Sequence, residues 1–459
     1  MNYTEGLLRE LPYVKFYGER SFPHLSSLRE PDVRLILITL EPPDPSIIDW
    51  HLRDLYQLDE QQLRSARERL VLLSPESTKP LPLDALVMDD ESILTRLREE
   101  ARNQEAIIIN FAPSATIDRL CRELDLPMEE GPFQVSRHWG DKSSGKEVFR
   151  AEAIRSPNGS PHILATIEEV RSAAVRLTTA SPPAERVIIK LNDAGWGDGL
   201  GNVVIDAKRL RDTNDLSRSI ESILQDWDHI VREIVACGAI VEEYFANRIC
   251  SPSGQAYINP SGEVRVLSTH EQFVVADQYL GCEFPAHGEF RPRIHEVLTK
   301  VGSRLATNGV RGSFGVDFIG LEDGSLLATE INLRKVGPSH VVQYAESVLG
   351  SRVSGDGNLR VGGKAVHYSH RRIYQPQVLR GLKPGAAVRA LALEDLCYNH
   401  AKGTGAILHI LGALCPAGYV ESTCFGFTPA EAMEIGNKVQ AALLNAAGVL
   451  ASRSEESLA

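Results

Sequence analysis

The segment GVDFIGLEDGSLLATEINLRKVGPSH, residues 315–340, contains two apolar runs joined by Asp323-Gly324. This dipeptide favours a tight hairpin turn, so the segment predicts two antiparallel β-strands. Counting outward from the turn places Asp317 directly opposite Glu330. The sequence therefore predicts a hairpin on which two carboxylates face each other.

A metal ion is the expected partner of these facing carboxylates. Like charges opposite each other across a ladder are destabilising unless something positive lies between them. Because side chains alternate along a strand, Glu330, Asn332 and Arg334 share one face of the second strand. The oxygens of Asp317, Glu330 and Asn332 suit Mg²⁺, so these residues are the predicted metal ligands. The alternative is a solvated acidic hairpin with an incidental arginine.

A second candidate segment is RVIIKLNDAGWGDGLGN, residues 186–202. It places Lys190 at the end of an apolar strand, directly before a loop that contains Gly197, Gly199 and Gly201. Such a loop exposes backbone N–H groups to phosphate oxygens without obstruction by Cβ atoms, and the lysine supplies a positive charge. We predict a phosphate-binding lid; the alternative is an ordinary glycine-rich hairpin turn.

Two further polar segments follow apolar runs. GAIVEEYF, residues 238–245, predicts a short strand that ends in Glu242 and Glu243, where backbone groups could meet an adenine and a carboxylate could meet a ribose. RVLSTHEQF, residues 265–273, predicts a strand whose polar side chains, Gln272 among them, could touch a substrate. Ordinary surface polarity explains the second segment equally well.

A spacing typical of a phosphate-binding P-loop occurs at Gly140–Lys146, but the next residue is Glu147 in place of the Ser or Thr that would hold Mg²⁺. No convincing apolar strand precedes it. We therefore reject a P-loop and keep Lys142 or Lys146 as a candidate for contact with phosphate.

The composition excludes several classes of function. Hydrophobic residues make up 43% of the 459 residues, which is typical of a globular protein. The net charge of −12 would repel a nucleic-acid backbone or an anionic membrane. The chain shows no signal-peptide pattern and no apolar run long enough to span a bilayer, and its 7 cysteines lack paired spacing. We expect a cytoplasmic enzyme or binding protein with reduced thiols.

Three regions follow one another along the chain. Residues 1–135 alternate strand-like runs with helical stretches, which predicts a small α/β layer with parallel strands near 33–40, 69–75 and 106–113. Residues 136–355 contain the candidate site residues. Residues 356–459 form a last, smaller region, in which Thr428, Pro429 and Glu431 have the spacing of a helix start.

Taken in order, these features resemble those of the ATP-grasp ligases: a lysine after aspartate at Lys142, a strand lysine with a glycine lid, a V-E-E strand, and G-V-D-F followed by E-I-N-x-R. The resemblance is narrower to the pheganomycin-type peptide ligases and covers about residues 140–425. It is carried by GDKSSGKEVFR, LSTHEQF, YLGCEFPA, EINLRKVGPSH and GAILHILGALCPAGY.

The resemblance implies an ATP-grasp fold of the α/β (α+β) class. A pre-ATP-grasp α/β domain would occupy residues 1–135, an ATP-grasp domain of two subdomains clamping ATP residues 136–355, and a small α+β domain residues 356–459. It also implies the roles of the site residues. Phosphate would contact Lys142, Lys190, Gly197, Gly199 and Gly201; adenine and ribose would contact Glu242, Glu243 and Phe245; Mg²⁺ would bind Asp317, Glu330 and Asn332; and Arg334 with Lys190 would act in catalysis.

The activity implied by the resemblance is ADP-forming ligation of a carboxylate to an amine through an acyl phosphate. Its cofactors would be ATP and Mg²⁺, with Mn²⁺ as an alternative metal. Its substrates would be a small-molecule carboxylate and a small-molecule amine, each an amino acid or a peptide, and a homodimer is common among such ligases. Two alternatives stay open: carboxylation or thioester formation within the same superfamily, and a non-catalytic ATP-binding protein.

Overall fold

The computed structural model describes residues 11–77, 79–192, 201–275 and 278–456, which contain both strands and helices. Within these residues there are 16 strands. In chain order they are β1 Leu35–Ile38, β2 Leu70–Leu73, β3 Arg186–Leu191, β4 Asn202–Asp206, β5 Ile220–Ile223, β6 Ala239–Glu243, β7 Arg248–Cys250, β8 Pro252–Ile258, β9 Val264–Val275, β10 Gln278–Phe284, β11 Gly312–Leu321, β12 Leu326–Asn332, β13 Leu359–Val361, β14 Lys364–Tyr374, β15 Gly405–His409 and β16 Tyr419–Gly426.

The same part of the chain contains α-helices of 4 to 28 residues. They are α1 Pro45–Trp50, α2 Glu60–Arg69, α3 Leu83–Met88, α4 Glu91–Ala101, α5 Ala115–Leu124, α6 Phe133–Gly140, α7 Lys142–Ala151, α8 Ile167–Thr178, α9 Ala207–Thr213, α10 Trp227–Cys237, α11 Arg291–Thr307, α12 Ser339–Leu349, α13 Pro376–Leu379, α14 Pro384–Leu393, α15 Leu414–Ala417 and α16 Pro429–Glu456. A 3₁₀-helical segment, Pro12–Arg29, precedes them. No helix in the described ranges combines the length and the apolar character needed to cross a membrane.

The chain packs into two units. Residues 1–129, 281–285 and 337–459 form the first, here called the terminal unit, and residues 130–280 and 286–336 form the second, here called the central unit. Both contain helices and sheets, which confirms the predicted mixed α/β class. The division into three domains, 1–135, 136–355 and 356–459, remains a prediction, because these units describe how the chain packs and not where its domains begin.

The smaller sheet of the central unit has the strand order β5-β4-β3-β6. Val187 and Ile189 of β3 are fully buried and lie in one hydrophobic core with Val170 of α8 and Ile230 of α10. Alternation of side chains along β3 leaves Lys190 on the other face, where it pairs in register with Asn202 of β4. The apolar run at 186–191 is therefore a strand, as predicted.

The larger sheet of the central unit has the strand order β12-β11-β8-β9, with β7 beside β11. Helix α11 packs against β8 and β9 and buries Ile294, Leu298, Val301 and Leu305, which recur at helical spacing. Helix α7 covers β12 at Gly145, where an added Cβ would lie 3.7 Å from the side chain of Ile331. The candidate residues of α7 are thereby held beside the hairpin.

The predicted hairpin exists, but its turn is offset by one residue. Near the turn, Gly320 pairs with Leu326, one position away from the predicted register. A β-bulge at Thr329 then absorbs the extra residue, so that Asp317 faces Glu330 as predicted. The predicted pairing of the carboxylates is thus correct at the site, whereas the predicted register at the turn is wrong.

The N-terminal part of the terminal unit has fewer strands than predicted. β1 and β2 form the predicted parallel pair. The third predicted strand, at 106–113, is wrong: only an isolated bridge joins Ile108 to Met128. The side chains of Ile107 and Ile109 are 55% and 45% exposed, so this apolar run lacks the burial that would hold a strand in a sheet.

The C-terminal part of the terminal unit is a sheet of antiparallel strands. The end of β10 pairs with β14, β14 with β16, and β16 with β15. Every residue of β16 is buried, and α16 packs against β14 and β16. The predicted start of α16 is confirmed, because the Thr428 hydroxyl accepts a hydrogen bond from the backbone N–H of Glu431 at 3.1 Å.

Candidate active site

Asp317 of β11 and Glu330 of β12 are facing carboxylates whose pKa values are shifted in opposite directions. Burial and the neighbouring Glu330 carboxylate raise the pKa of Asp317 to about 6. Burial alone would also raise the pKa of Glu330, but Lys142 and Lys190 lower it. Burial and a like charge therefore dominate at Asp317, whereas the neighbouring lysines dominate at Glu330.

Two amide side chains hold Asp317 in place. Gln272 of β9 donates its side-chain N–H to Asp317 Oδ1 at 2.8 Å, and Asn332 of β12 donates to Asp317 Oδ2 at 3.0 Å. Asn332 Oδ1 accepts a hydrogen bond from Arg334 Nη2 at 3.2 Å. The structure thus brings the three predicted metal ligands together beside Arg334, and it adds Gln272.

Helix α7 carries Lys142 and Lys146 four residues apart, so both lie on the same face. Lys142 Nζ lies 3.2 Å from Glu330 Oε1, on the larger sheet. Lys146 Nζ contacts Glu242 Oε1, on the smaller sheet. One helix therefore connects the candidate residues of both sheets of the central unit.

Asn192 holds the start of this helix. Its side-chain oxygen accepts a hydrogen bond from the backbone N–H of Ser143 at 3.0 Å, and its carbonyl accepts one from the N–H of Lys142 at 3.4 Å. The first N–H groups of a helix have no partner inside the helix, so these contacts satisfy two of them. Asn192 directly follows the strand of Lys190, which links the positions of the two lysines.

Glu242 is almost fully buried and shared between two lysines. Its exposed fraction is 1%, and its second oxygen lies 2.7 Å from Lys190 Nζ. Burial alone would raise the pKa of Glu242, but Lys190 and Lys146 lower it below its usual value. Two ammonium groups around one carboxylate leave an excess positive charge, which suits an anionic ligand such as phosphate.

Several predicted nucleotide contacts are only partly described. Gly197 and Gly199 lie outside the described residues, so the predicted lid stays a prediction. Gly201 lies within them, and its carbonyl accepts a backbone hydrogen bond at 3.1 Å from the end of β3. Gly201 is therefore bonded to the end of β3.

Glu243 and Phe245 lie at and just beyond the end of β6. The Glu243 carboxylate accepts a hydrogen bond from Asn158 Nδ2 at 3.1 Å, and Phe245 is half-buried. Contact of these residues with adenine or ribose remains a prediction.

The sequence reasoning missed a buried ion pair behind Arg334. Lys335 Nζ lies 3.1 Å from Glu130 Oε1, and both side chains are at least 91% buried. The Glu130 carboxylate also accepts hydrogen bonds from the backbone N–H and the hydroxyl of Ser313. This pair fixes the chain immediately after Arg334. Lys335 was visible in the motif, but Glu130 lies 183 residues from Ser313 and gave no local signal.

Solved structures share the fold. Biotin carboxylase from Campylobacter jejuni matches with a TM-score of 0.53 and 17% identity, over 79% of this chain and 75% of that one. The biotin carboxylase domain of the 2-oxoglutarate carboxylase from Hydrogenobacter thermophilus matches with a TM-score of 0.54 and 15% identity, over 89% and 84%. At these identities the likeness shows the fold alone.

Sequence comparisons show the family. Residues 213–336 match the family described as IQCH-like, ATP-grasp, and residues 386–439 match the PGM1 C-terminal domain. The chain is 42% identical over 444 residues to the L-propargylglycine–L-glutamate ligase of Streptantibioticus cattleyicolor, covering 96% of this chain and 92% of that protein. These matches confirm the predicted resemblance: the chain belongs to the ATP-grasp ligases of the pheganomycin peptide-ligase type.

Proposed function

We propose that this enzyme joins the carboxylate of one amino acid to the amine of another, consuming ATP and releasing ADP and phosphate. The observation that carries the proposal is the convergence of Asp317, Glu330 and Asn332 beside Arg334 in a chain of this family. Pairs of carboxylates and an amide next to a guanidinium suit a cation-bridged phosphate chain.

The residues fit Mg²⁺, with Mn²⁺ as an alternative. Three oxygen-bearing side chains lie on adjoining strands, and the Asp317 carboxylate, whose pKa is raised by burial and by Glu330, faces a second carboxylate that a cation would separate. When bound there, the ion would neutralise charge on the nucleotide phosphates. Gln272 and Asn332 orient Asp317 by donating to Oδ1 and Oδ2, and each oxygen keeps a further lone pair for a ligand.

The lysines supply the positive charge for the phosphates. Lys142 and Lys190 are the phosphate-binding residues of this proposal, since each lies next to a carboxylate that it can exchange for a phosphate oxygen. Lys146 is a positioning residue: it binds the far oxygen of Glu242 and so keeps that carboxylate from drawing Lys190 out of place. Arg334 is held beside Asn332, and the proposal assigns it the contact with the transferring phosphoryl group.

The chemistry then follows from charge and proton balance. A carboxylate oxygen of the donor attacks the γ-phosphorus, the bond to the β-phosphate breaks, and ADP leaves. The neutral amine of the acceptor attacks the carbonyl carbon of the resulting acyl phosphate. The bond from carbon to phosphate oxygen breaks, the amine loses a proton, and inorganic phosphate leaves. Arg334 and the lysines stabilise the negative charge that builds up at each step.

The substrates proposed here are amino acids, because the curated relative is named for L-propargylglycine and L-glutamate. A cytoplasmic location agrees with a need for ATP and free amino acids. A homodimer also belongs to the proposal, and light scattering coupled to gel filtration would test it: a mass near 50.5 kDa would contradict it.

An ADP-release screen tests the function directly. A panel of L-amino acids as donors is crossed with a panel of acceptors that includes L-glutamate, and products are identified by mass spectrometry. We expect ADP release only when both partners are present, together with a product equal in mass to the two amino acids minus water. Incorporation of labelled bicarbonate, dependence on a thiol acceptor, or ADP release unchanged by omitting the acceptor would overturn the proposal.

A further inference from the structure

A group of polar side chains is buried on one face of the C-terminal sheet of the terminal unit. His370 of β14 and Glu421 of β16 have exposed fractions of 1% and 0%. His340, the second residue of α12, covers them and is 4% exposed. His340 Nε2 lies 3.0 Å and His370 Nε2 lies 3.6 Å from the same oxygen of Glu421, Oε2. Three elements thus bring two imidazoles and a carboxylate to one point.

The two oxygens of Glu421 have different partners. Oε1 accepts hydrogen bonds from Arg20 Nη2 at 2.7 Å and from the Tyr419 hydroxyl at 2.5 Å. Oε2 faces the two imidazole nitrogens instead. Glu421 is therefore held by Oε1, with Oε2 directed at the histidines.

The imidazole of His340 lies between two hydrogen-bond acceptors. Its Nε2 is 3.0 Å from Glu421 Oε2, and the ring also hydrogen-bonds to the backbone of Gly337. An imidazole that binds a cation through Nε2 keeps its N–H on the other ring nitrogen, where a backbone carbonyl is a suitable acceptor.

The second nitrogen of His370 is held in the way that metal-binding histidines are. His370 Nδ1 lies 3.0 Å from the hydroxyl of Thr423, which lies 2.7 Å from His409 Nε2. Metal-ligating histidines almost always have their other ring nitrogen fixed by such a partner, which sets the orientation of the ring. Glu421 shows the same feature, since Arg20 and Tyr419 fix its non-facing oxygen.

We propose that His340, His370 and Glu421 bind a transition-metal ion of the Zn²⁺ class. Their donor atoms all lie within 4.8 Å of one another. With Zn–N and Zn–O bonds of ~2.0–2.2 Å, neighbouring ligands of a tetrahedral ion are ~3.4 Å apart. The distances of 3.0 and 3.6 Å to Oε2 bracket that value. The ion would tie α12 to β14 and β16, with a water molecule as fourth ligand.

The donor set and its surroundings define which ion fits. Imidazole nitrogens suit Zn²⁺ and Co²⁺, whereas Mg²⁺ and Ca²⁺ prefer oxygens only. Arg20 and Arg372 lie 2.7 and 3.6 Å from Glu421 Oε1 and disfavour any bound cation, so the ion must gain much of its binding energy from the imidazoles. The site is therefore distinct in chemistry from the oxygen-only set at Asp317, and it does not depend on the function proposed above.

Cobalt binding to the full-length protein tests the site without reference to activity. The protein is stripped with chelator, returned to buffer with Mg²⁺, and titrated with Co²⁺ while the visible absorption of tetrahedral Co²⁺ is recorded; Zn²⁺ is then added in competition. We expect one equivalent of Co²⁺, displaced by Zn²⁺ and unaffected by excess Mg²⁺. No visible bands from the folded wild-type protein would overturn the proposal, whatever the variants do.

Variants locate the ion. His370→Gln and Glu421→Gln each remove one ligand. We expect the Co²⁺ affinity to fall by more than ~100-fold, which exceeds the effect of losing a residue that only hydrogen-bonds to a ligand. His51→Gln is the matched control: His51 is also buried in the terminal unit, but it bonds to Ile47 and Tyr344 instead. Equal Co²⁺ affinity in all three variants would assign the ion elsewhere and overturn the proposal.

Discussion

Lys146 and Lys190 bind opposite oxygens of the Glu242 carboxylate, one from helix α7 and one from strand β3. Glu242 and Lys146 are buried and Lys190 is partly buried, so the charge of Glu242 is compensated mainly by protein. Lys190 can leave Glu242 for a phosphate without stranding a buried charge, because Lys146 stays behind. Lys146 thus has a role different from that of Lys142, which pairs with Glu330.

Replacing Lys146 by Met should affect nucleotide binding and stability, but not the chemical step. Without Lys146, Glu242 holds Lys190 more firmly, so we expect KM for ATP to rise about tenfold, equivalent to ~1.4 kcal/mol, with kcat changed little. The free energy of unfolding should fall by ~1–3 kcal/mol. Steady-state kinetics and urea denaturation measure both.

Lys300→Met is the control for this variant. Lys300 is exposed on α11 and pairs with Glu296 one turn away, so neither KM nor stability should change measurably. Lys146→Arg should restore part of the loss. If Lys146→Met lowers kcat and leaves KM for ATP unchanged, Lys146 acts in the chemical step and the positioning role is wrong.

Replacing Glu330 by Gln should nearly abolish ligation. Of the facing pair, Glu330 has the lower pKa and Asp317 the higher, so Glu330 is the more readily ionised ligand for the cation. We expect kcat to fall by ~10²–10³-fold, as for loss of other groups that stabilise charge in the transition state. Amide formation measured by mass spectrometry gives the rate.

Glu322→Gln lies on the same hairpin and is the matched control, because Glu322 is exposed at the turn. Its activity should equal that of the unmodified enzyme. Retention of full activity by Glu330→Gln would remove the hairpin from the catalytic site.

Gln272 should tune the affinity of the metal ion. Replacing it by Leu removes the hydrogen bond to Asp317 Oδ1, so the carboxylate loses its orientation. We expect the Mg²⁺ concentration for half-maximal activity to rise ~10–100-fold, as for other residues that hydrogen-bond to a metal ligand. Gln255→Leu removes a buried amide that bonds to Ser268 instead, and it should leave the Mg²⁺ requirement unchanged. Equal shifts in the two variants would contradict this role.

Glu19 should make the stability depend on pH. Burial raises its pKa to about 8, although backbone N–H groups at Gly412 and Leu411 oppose the shift. In the unfolded chain this group ionises near its ordinary value of 4.5. The folded state therefore binds the extra proton between these values, and stability falls as pH rises from 4.5 to 8.

Glu19→Gln removes this penalty and keeps an acceptor for the N–H of Gly412. Urea unfolding should show a gain of at least ~1 kcal/mol at pH 8 that disappears near pH 4.5. Glu30→Gln, exposed just beyond the same helical segment, should show no gain at either pH. A pH-independent effect of Glu19→Gln would mean that Glu19 titrates normally.

Local patterns predicted the strands of the site, because the alternation that defines a strand involves only residues close together in the sequence. Alternation along β12 placed Glu330 and Asn332 on one face, and the buried side chain of Ile331 confirms it. Apolar spacing likewise predicted β3. The prediction of a strand at 106–113 was wrong because an apolar run forms a strand only where a neighbouring strand pairs with it.

The bulge at Thr329 could not be predicted from the hairpin pattern. It depends on how β11 pairs with both β12 and β8, and the Thr329 hydroxyl donates to the carbonyl of Asp317 at 3.0 Å within it. A shift of one residue in the pairing of β11 with either neighbouring strand would have turned Asp317 to the other face. The predicted pairing of Asp317 with Glu330 is therefore correct because the one-residue offset at the turn and the extra residue at the bulge cancel.

Taken alone, the order of residues established the family, the hairpin and the set of oxygen-bearing side chains, because these depend on spacings of a few residues. Only the folded chain decided which lysine meets which carboxylate, since Lys146 and Glu242 are far apart in sequence and meet through packing of a helix on two sheets. The same holds for His340, His370 and Glu421, whose shared point exists only once α12 covers the sheet. Long-range contacts of this kind follow from burial of whole elements, which no local pattern contains.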